Sequence, residues 1–353
     1  MRNKTIGLAV LVLSILVLVN IGVTAFMIGE FDTQPSQEEQ IHTEGVSSET
    51  VTELRNNTVT IYETSDLGES QGSGFYTQDG LIVTNAHVSN NADSLYIQTG
   101  SGEVMTATVR GEDSFTDLSV LEPEYTPDNA EGLSFSESFS VGEPVVVMGS
   151  PDGLRNSVTT GIVSGVDRSV PSRVENYTIP SMIQVDAALN PGNSGGPIVN
   201  SDNQVVGVAQ STTGENLGFG VSSEITSKVY TSLKNDGEHN HPYIGIQSLD
   251  TTPTIAEEAS VDIFSGVLIT EVMEDGPADQ GTDIRPYQIN EETGEFEESG
   301  MKLTHIDDHK VRSNTELSRV LLVNYQAGDE VEMRFVDSEG AVVTETITLG
   351  ERP

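Results

Sequence analysis

No cysteine occurs in the 353 residues of this chain. Disulfide bonds are excluded, as is lipid attachment through a thiol, so any extracytoplasmic placement has to be argued from other features. Positive charge is almost as scarce: 16 Lys and Arg stand against 55 Asp and Glu, giving a net charge of −39. Nucleic-acid binding neutralises phosphates with clustered Lys and Arg, and without them nucleic acid is not expected as a partner. The acids are spread along the whole chain, which speaks against a tract that recruits basic substrates. Such a charge destabilises a compact state in dilute salt and is screened within a few ångströms in molar salt. The composition therefore predicts a salt-adapted protein, as from a halophilic archaeon. A third scarcity is helical periodicity: no amphipathic helix of useful length precedes Ser194, so the alternating strands and crossover helices of an α/β fold are not expected.

Long apolar runs are also rare, with one exception. Ile6 to Met27 carries no charged side chain over 22 positions, enough for a helix to span a hydrocarbon core of ~30 Å. Arg2 and Lys4 precede it and acidic residues follow, so residues 1–30 read as a transmembrane signal anchor with the rest of the chain on the extracellular side of the cell membrane. The alternative is a signal peptide cleaved after Val23-Thr24-Ala25. Residues 31–48, rich in Gln, Glu, Thr and Ser, read as a disordered acidic tether. From Thr50 to Asn235 short apolar runs alternate with Gly, Asn, Asp and Ser. Val59–Tyr62, Ser94–Ile97, Pro144–Met148, Met182–Val185 and Gln204–Val208 are examples, and they predict a mainly β domain over 49–235.

Three segments carry chemistry. Gly80–Val83 reads as a buried strand that delivers Thr84-Asn85-Ala86-His87-Val88 to its end. Thirty residues on, Thr116-Asp117-Leu118 opens another apolar strand with an acid. The stretch Asp186-Ala187-Ala188-Leu189-Asn190-Pro191-Gly192-Asn193-Ser194-Gly195-Gly196-Pro197 then sets a serine among glycines that permit a tight turn and close backbone approach. Each alone has an ordinary reading as a turn serine, a half-buried histidine or a turn acid. Together, in the order His, Asp, Ser and each at a strand end, they supply what an activated serine requires: a general base and a group that orients it. Gly192–Gly196 also fits the G-x-S-x-G elbow of α/β-hydrolases, with His239, His241, His305 and His309 downstream, but the missing helices weigh against that fold.

These three blocks, with Met148-Gly149-Ser150-Pro151-Asp152-Gly153-Leu154 and Val158–Ser164, resemble those of the HtrA (Deg) serine proteases. The resemblance implies a two-barrel chymotrypsin-like domain, with His87 and Asp117 on the first barrel and Ser194 on the second. It further implies that Ser194 attacks a peptide carbonyl, that His87 relays the proton and that Asp117 orients the imidazole. The loop Gly192, Asn193, Ser194 would form the oxyanion hole through the N–H groups of Gly192 and Ser194, and flipping one peptide there would switch it off. Leu189 and the Ala209–Thr213 segment, including Thr212, would wall a pocket for small aliphatic residues, unless Leu189 simply packs the second barrel. Residues 236–241 read as a polar linker in which His239 and His241 are solvated. No metal or cofactor is expected.

Residues 242–353 resemble one PDZ domain, with Tyr243-Ile244-Gly245-Ile246 as the carboxylate-binding loop, Gly266–Val272 as a strand and Asn314–Leu321 as the groove helix. Gly328–Phe335 and Ala341–Leu349 would be its closing strands. The chain departs from the family at 285–300, where an acidic insert reads as a surface loop. By resemblance the protein would be an ATP-independent, membrane-anchored endopeptidase that degrades misfolded or damaged extracytoplasmic proteins. Its partners would be unfolded polypeptides, hydrophobic peptide C-termini at the PDZ domain and two further copies in a homotrimer. The alternative is a tethered chaperone or peptide-binding scaffold with latent protease activity.

Overall fold

The computed structural model describes residues 46–65, 68–90, 92–150, 156–171, 178–210, 217–290, 296–298 and 300–353. The expected anchor and most of the tether lie outside the described residues. Among the described residues no helix is long and apolar enough to cross a membrane.

The described residues open with helix α1 (Ser48–Asn57), where the sequence predicts the end of a tether and then strands. Ser47 caps it, its hydroxyl accepting the Thr50 N–H at 3.0 Å. Only Leu54 and Asn57 are buried along it, which leaves too thin an apolar stripe to be read as a helix from sequence.

Six strands then close the first barrel: β1 (Thr58–Ser65), β2 (Gly68–Tyr76), β3 (Ile82–Thr84), β4 (Ser94–Thr99), β5 (Val104–Asp113) and β6 (Leu118–Pro123), in the order β1-β2-β3-β6-β5-β4. The second barrel repeats the plan with β7 (Pro144–Gly149), β8 (Ser157–Pro171), β9 (Thr178–Val185), β10 (Pro197–Val199), β11 (Val205–Gln210) and β12 (Gly218–Ser222). Closure removes the sheet edges that would otherwise be left unpaired. In β5 buried Met105 and Ala107 alternate with exposed neighbours, as in a strand with one face to solvent. All six residues of β11 are buried, because that strand lies in the seam between the barrels.

Each barrel has its own apolar filling, with Ile61, Ile97 and Leu121 in the first and Val145, Ile183 and Ile198 in the second. A further cluster lies in the seam, joining Phe75, Val83 and Val120 to Met148, Val199 and Val208. Helix α2 (Ser223–Asp236) covers it with Ile225, Val229 and Leu233. This helix corrects the all-strand reading of 49–235. Its Ser, Thr and β-branched residues have weak helix propensity, and burial of one face overrides it. Gly237 ends α2 with a left-handed φ of 83°, its N–H on the Leu233 carbonyl.

The rest of the chain forms a second β domain. Strands β13 (Pro242–Tyr243) and β22 (Gly350–Glu351) pair at its entry and exit. Between them β14 (Ile246–Asp250), β15 (Val267–Val272), β18 (Lys302–Ile306), β20 (Glu330–Val336) and β21 (Val342–Thr348) make one sheet in that order, with β19 (His309–Lys310) beside β18. A short helix, α3 (Pro253–Glu258), and α4 (Asn314–Asn324) complete the domain. Helix α4 turns Leu317 and Val320 into this domain's core, while Leu322 joins the seam cluster that also holds Met182 and Ile179.

The insert at 285–300 is more than a surface loop. It contains the pair β16 (Gln288–Ile289) and β17 (Phe296–Glu298). Tyr287 is buried, its N–H donates to the Ile269 carbonyl at 2.7 Å, and its ring meets Phe296 edge-on at 5.6 Å.

Candidate functional site

Strand β3 ends at Thr84 and the chain turns into a 3₁₀ turn, Ala86–Val88, that projects His87. The Asn85 side chain fixes that turn by donating from Nδ2 to the Asp117 carbonyl at 2.9 Å, and the Ala86 N–H donates to the same oxygen at 3.1 Å. Asp117 stands at the head of β6 with a left-handed φ of 58°, a costly conformation for a residue with a Cβ. Its carboxylate is wholly shielded from solvent, whereas the His87 side chain keeps 20% of its surface exposed.

A buried carboxylate needs donors to remain an anion. His87 supplies two, its backbone N–H to Oδ1 at 2.9 Å and Nδ1 to Oδ2 at 2.7 Å. Gln210 supplies a third, Nε2 to Oδ2 at 2.6 Å. The Nδ1 contact places the histidine proton on the carboxylate side and leaves Nε2 as the acceptor, the tautomer a general base needs.

Ser194 sits in the loop after β9, buried to 6% exposure. The preceding turn is closed by the Asn193 N–H on the Asn190 carbonyl at 3.0 Å, with Gly192 at a φ of 97°. A positive φ at the third position of such a turn defines type II. Rotating the Pro191–Gly192 peptide would convert it to type I and reverse the Gly192 N–H. Gly195 also has a left-handed φ, 84°, and a Cβ there would lie 2.1 Å from the Ser73 carbonyl.

Ser73 is the joint between the two halves. Its N–H donates to the Ser194 carbonyl at 2.8 Å, its hydroxyl to the Gly192 carbonyl at 2.6 Å, and its carbonyl accepts the Thr84 hydroxyl at 2.7 Å. One residue of β2 thus ties the serine loop to the strand end that presents the histidine. Sequence reasoning missed Ser73 and Gln210. Neither carries a local motif, and both meet the site only across long loops of chain.

The expected pocket residues divide. Leu189 packs against the second barrel's core cluster, and a Cβ on Gly218 would lie 2.8 Å from its Cδ1. Thr212 lies outside the described residues. Asp186 accepts the Ile162 N–H at 2.7 Å. Of the carboxylate-loop residues in the second β domain, Ile244 is buried in the core and Gly245 has a φ of 83°. Tyr243 belongs to β13 and Ile246 opens β14, an edge strand of its sheet.

The solvated-linker reading of His239 and His241 is overturned. His241 is buried, with Nε2 2.9 and 3.0 Å from the two oxygens of Asp113. His239 stands edge-on to it at 4.6 Å and bonds through Nδ1 to the Ser232 hydroxyl at 2.9 Å. Burial pushes the His239 imidazole down to about 4. Among the described residues no cluster of His, Asp and Glu could hold a metal ion.

Two closed six-stranded barrels, with a partly exposed histidine on a buried aspartate in one and a glycine-flanked serine on the other, define a chymotrypsin-like fold. Residues 72–208 match the family model described as a trypsin-like peptidase domain, so the chain carries a domain of that hydrolase class. Among curated proteins it is similar to the serine protease Do-like HtrA of Bacillus subtilis, at 33% identity over 82% of this chain and 65% of the relative. It is also similar to a probable periplasmic serine endoprotease, DegP-like, of Halomonas elongata, at 32% identity over 82% of this chain and 58% of the relative. The chain therefore spans less than two thirds of either relative's length, and both relatives are bacterial. A solved structure of the HtrA-type protease AlgW with a tripeptide superposes with a TM-score of 0.70 at 25% identity, covering 86% of this chain and 96% of that one.

Proposed function

We propose that this chain is an HtrA-type serine endopeptidase. Ser194 Oγ attacks the scissile carbonyl as His87 Nε2 takes its proton, and the tetrahedral intermediate collapses to an acyl-enzyme as His87 returns the proton to the leaving amine. Asp117, held by its protein donors, fixes the imidazole tautomer and stabilises the imidazolium, the division of labour of a chymotrypsin-type triad. The N–H groups of Gly192 and Ser194 are the oxyanion donors, and removal of one such donor costs ~10²–10³ in turnover. The observation that carries the reading is the Ser73 joint, which holds the Ser194 loop against the strand end bearing the His87–Asp117 pair.

The AlgW alignment extends beyond the two barrels, which supports reading residues 242–353 as a PDZ-type domain. A peptide C-terminus would then add along edge strand β14 beside α4, with its carboxylate at Tyr243–Ile246. The Halomonas relative's description as periplasmic supports an extracytoplasmic site of action, where misfolded or damaged chains would be the substrates, and the net charge supports work in concentrated salt. The test is hydrolysis of β-casein in molar KCl by wild type and Ser194→Ala. Cleavage by wild type alone, after small aliphatic residues, is expected. If neither cleaves while both suppress aggregation of an unfolded client, the enzyme reading falls and a chaperone or scaffold role replaces it.

A further inference from the structure

Asp117 keeps its left-handed backbone, a conformation that persists only where the surroundings over-determine it. The turn leading into it is organised by Asp113. That carboxylate accepts the N–H groups of Phe115 at 3.1 Å and Thr116 at 3.3 Å, and the Thr116 hydroxyl at 2.5 Å. A further partner comes from 128 residues away, the imidazole of His241. The Phe115 ring lies 4.5 Å from the His241 ring and 4.2 Å beneath the Arg352 guanidinium. The Arg352 N–H donates to the His241 carbonyl at 2.9 Å, and Pro242 and Tyr243 pair with Glu351 and Gly350. The segments entering and leaving the second β domain are thus pinned to each other and to the turn that delivers Asp117.

We propose that this clasp sets the position of Asp117, with His241 as its positioning residue acting through Asp113. The inference rests on the reading of His87, Asp117 and Ser194 as the catalytic groups. Burial alone would raise the Asp113 carboxyl, but the hydrogen bond and charge of His241, helped by Thr116, bring it below its ordinary value. Without the imidazole, the ionised Asp113 must open its turn to water. Asp117 then loses one support of its strained backbone, the one on the side away from His87, Asn85 and Gln210.

The test uses the full chain, a short chromogenic peptide and the downfield Nδ1–H proton resonance of His87. His241→Ala should lower kcat by about 10- to 100-fold, the scale of a small misplacement of a catalytic group, with KM unchanged and the His87 resonance weakened or lost. His241→Gln, which keeps an N–H donor for Asp113, should recover most of both readouts. Arg352→Ala, at an exposed position, should shift both in the same direction by less. A folded His241→Ala with wild-type kcat and resonance overturns the proposal. Should His241→Ala not fold, Arg352→Ala decides, and unchanged values there overturn it as well. If wild type is as inactive as Ser194→Ala, the enzyme reading is what fails, and the resonance alone judges the clasp.

Discussion

At the scale of single residues, the site depends on groups that share no motif with the serine. Gln210 is one: a side-chain amide that reaches the Asp117 carboxylate from β11. Hydrogen bonds to a buried charge contribute about 1.5–3 kcal/mol, and only part of that is differential between ground and transition states. Gln210→Ala should therefore reduce kcat about 10-fold with little change in KM, as measured by steady-state peptide hydrolysis. Gly195 is the other extreme. A methyl group there meets the Ser73 carbonyl at 2.1 Å and the Thr84 hydroxyl at 2.3 Å while the backbone stays left-handed. Gly195→Ala should abolish hydrolysis and lower the urea midpoint, because neither neighbour can move without breaking the joint between barrels. A variant with wild-type turnover would refute that account of the joint.

At the scale of elements, α4 is shared between two hydrophobic clusters. Leu322 faces the barrels, so Leu322→Ala should cost about 2–4 kcal/mol in chemical denaturation and loosen the domain seam as well as the helix. The segment after α2 gives a pH prediction. His239 is pushed down to about 4 in the fold by burial, against 6.5 in the unfolded chain. Between those values the unfolded state binds the extra proton, so stability present above pH 6.5 is lost as pH falls toward about 4. His239→Gln cannot titrate and should flatten that part of the slope, seen by comparing urea midpoints at near-neutral and mildly acidic pH. Equal slopes in the two proteins would show that His239 is hydrated in solution.

For the whole molecule the governing quantity is the net charge of −39. Self-repulsion at that level is screened over ~10 Å at 0.1 M salt and ~3 Å at 1 M. The melting temperature should therefore climb steeply with KCl across that range, and calorimetry in a KCl series checks it. A flat response would mean that the acids are paired or far apart enough to ignore.

Much of the local organisation was legible without coordinates. The strand expected at Gly80–Val83 and found two residues later as β3 (Ile82–Thr84), the acid heading β6 and the glycine-flanked serine follow from local alternation and turn chemistry, which depend on neighbours in sequence. Helices α1 and α2 were not legible, since their polar and β-branched residues form helices only when a face is buried by the barrels. The same holds for Ser73, Gln210 and His241, whose partners in the serine loop, at Asp117 and at Asp113 stand 93 to 128 residues away. The strand-rich class, the His, Asp, Ser order and the acidic surface are thus written in the residues themselves. Which side chains complete the Asp117 environment, and that His241 is buried, were settled by packing alone. Those choices are made by desolvation, and a group's loss of water is a property of the packed whole.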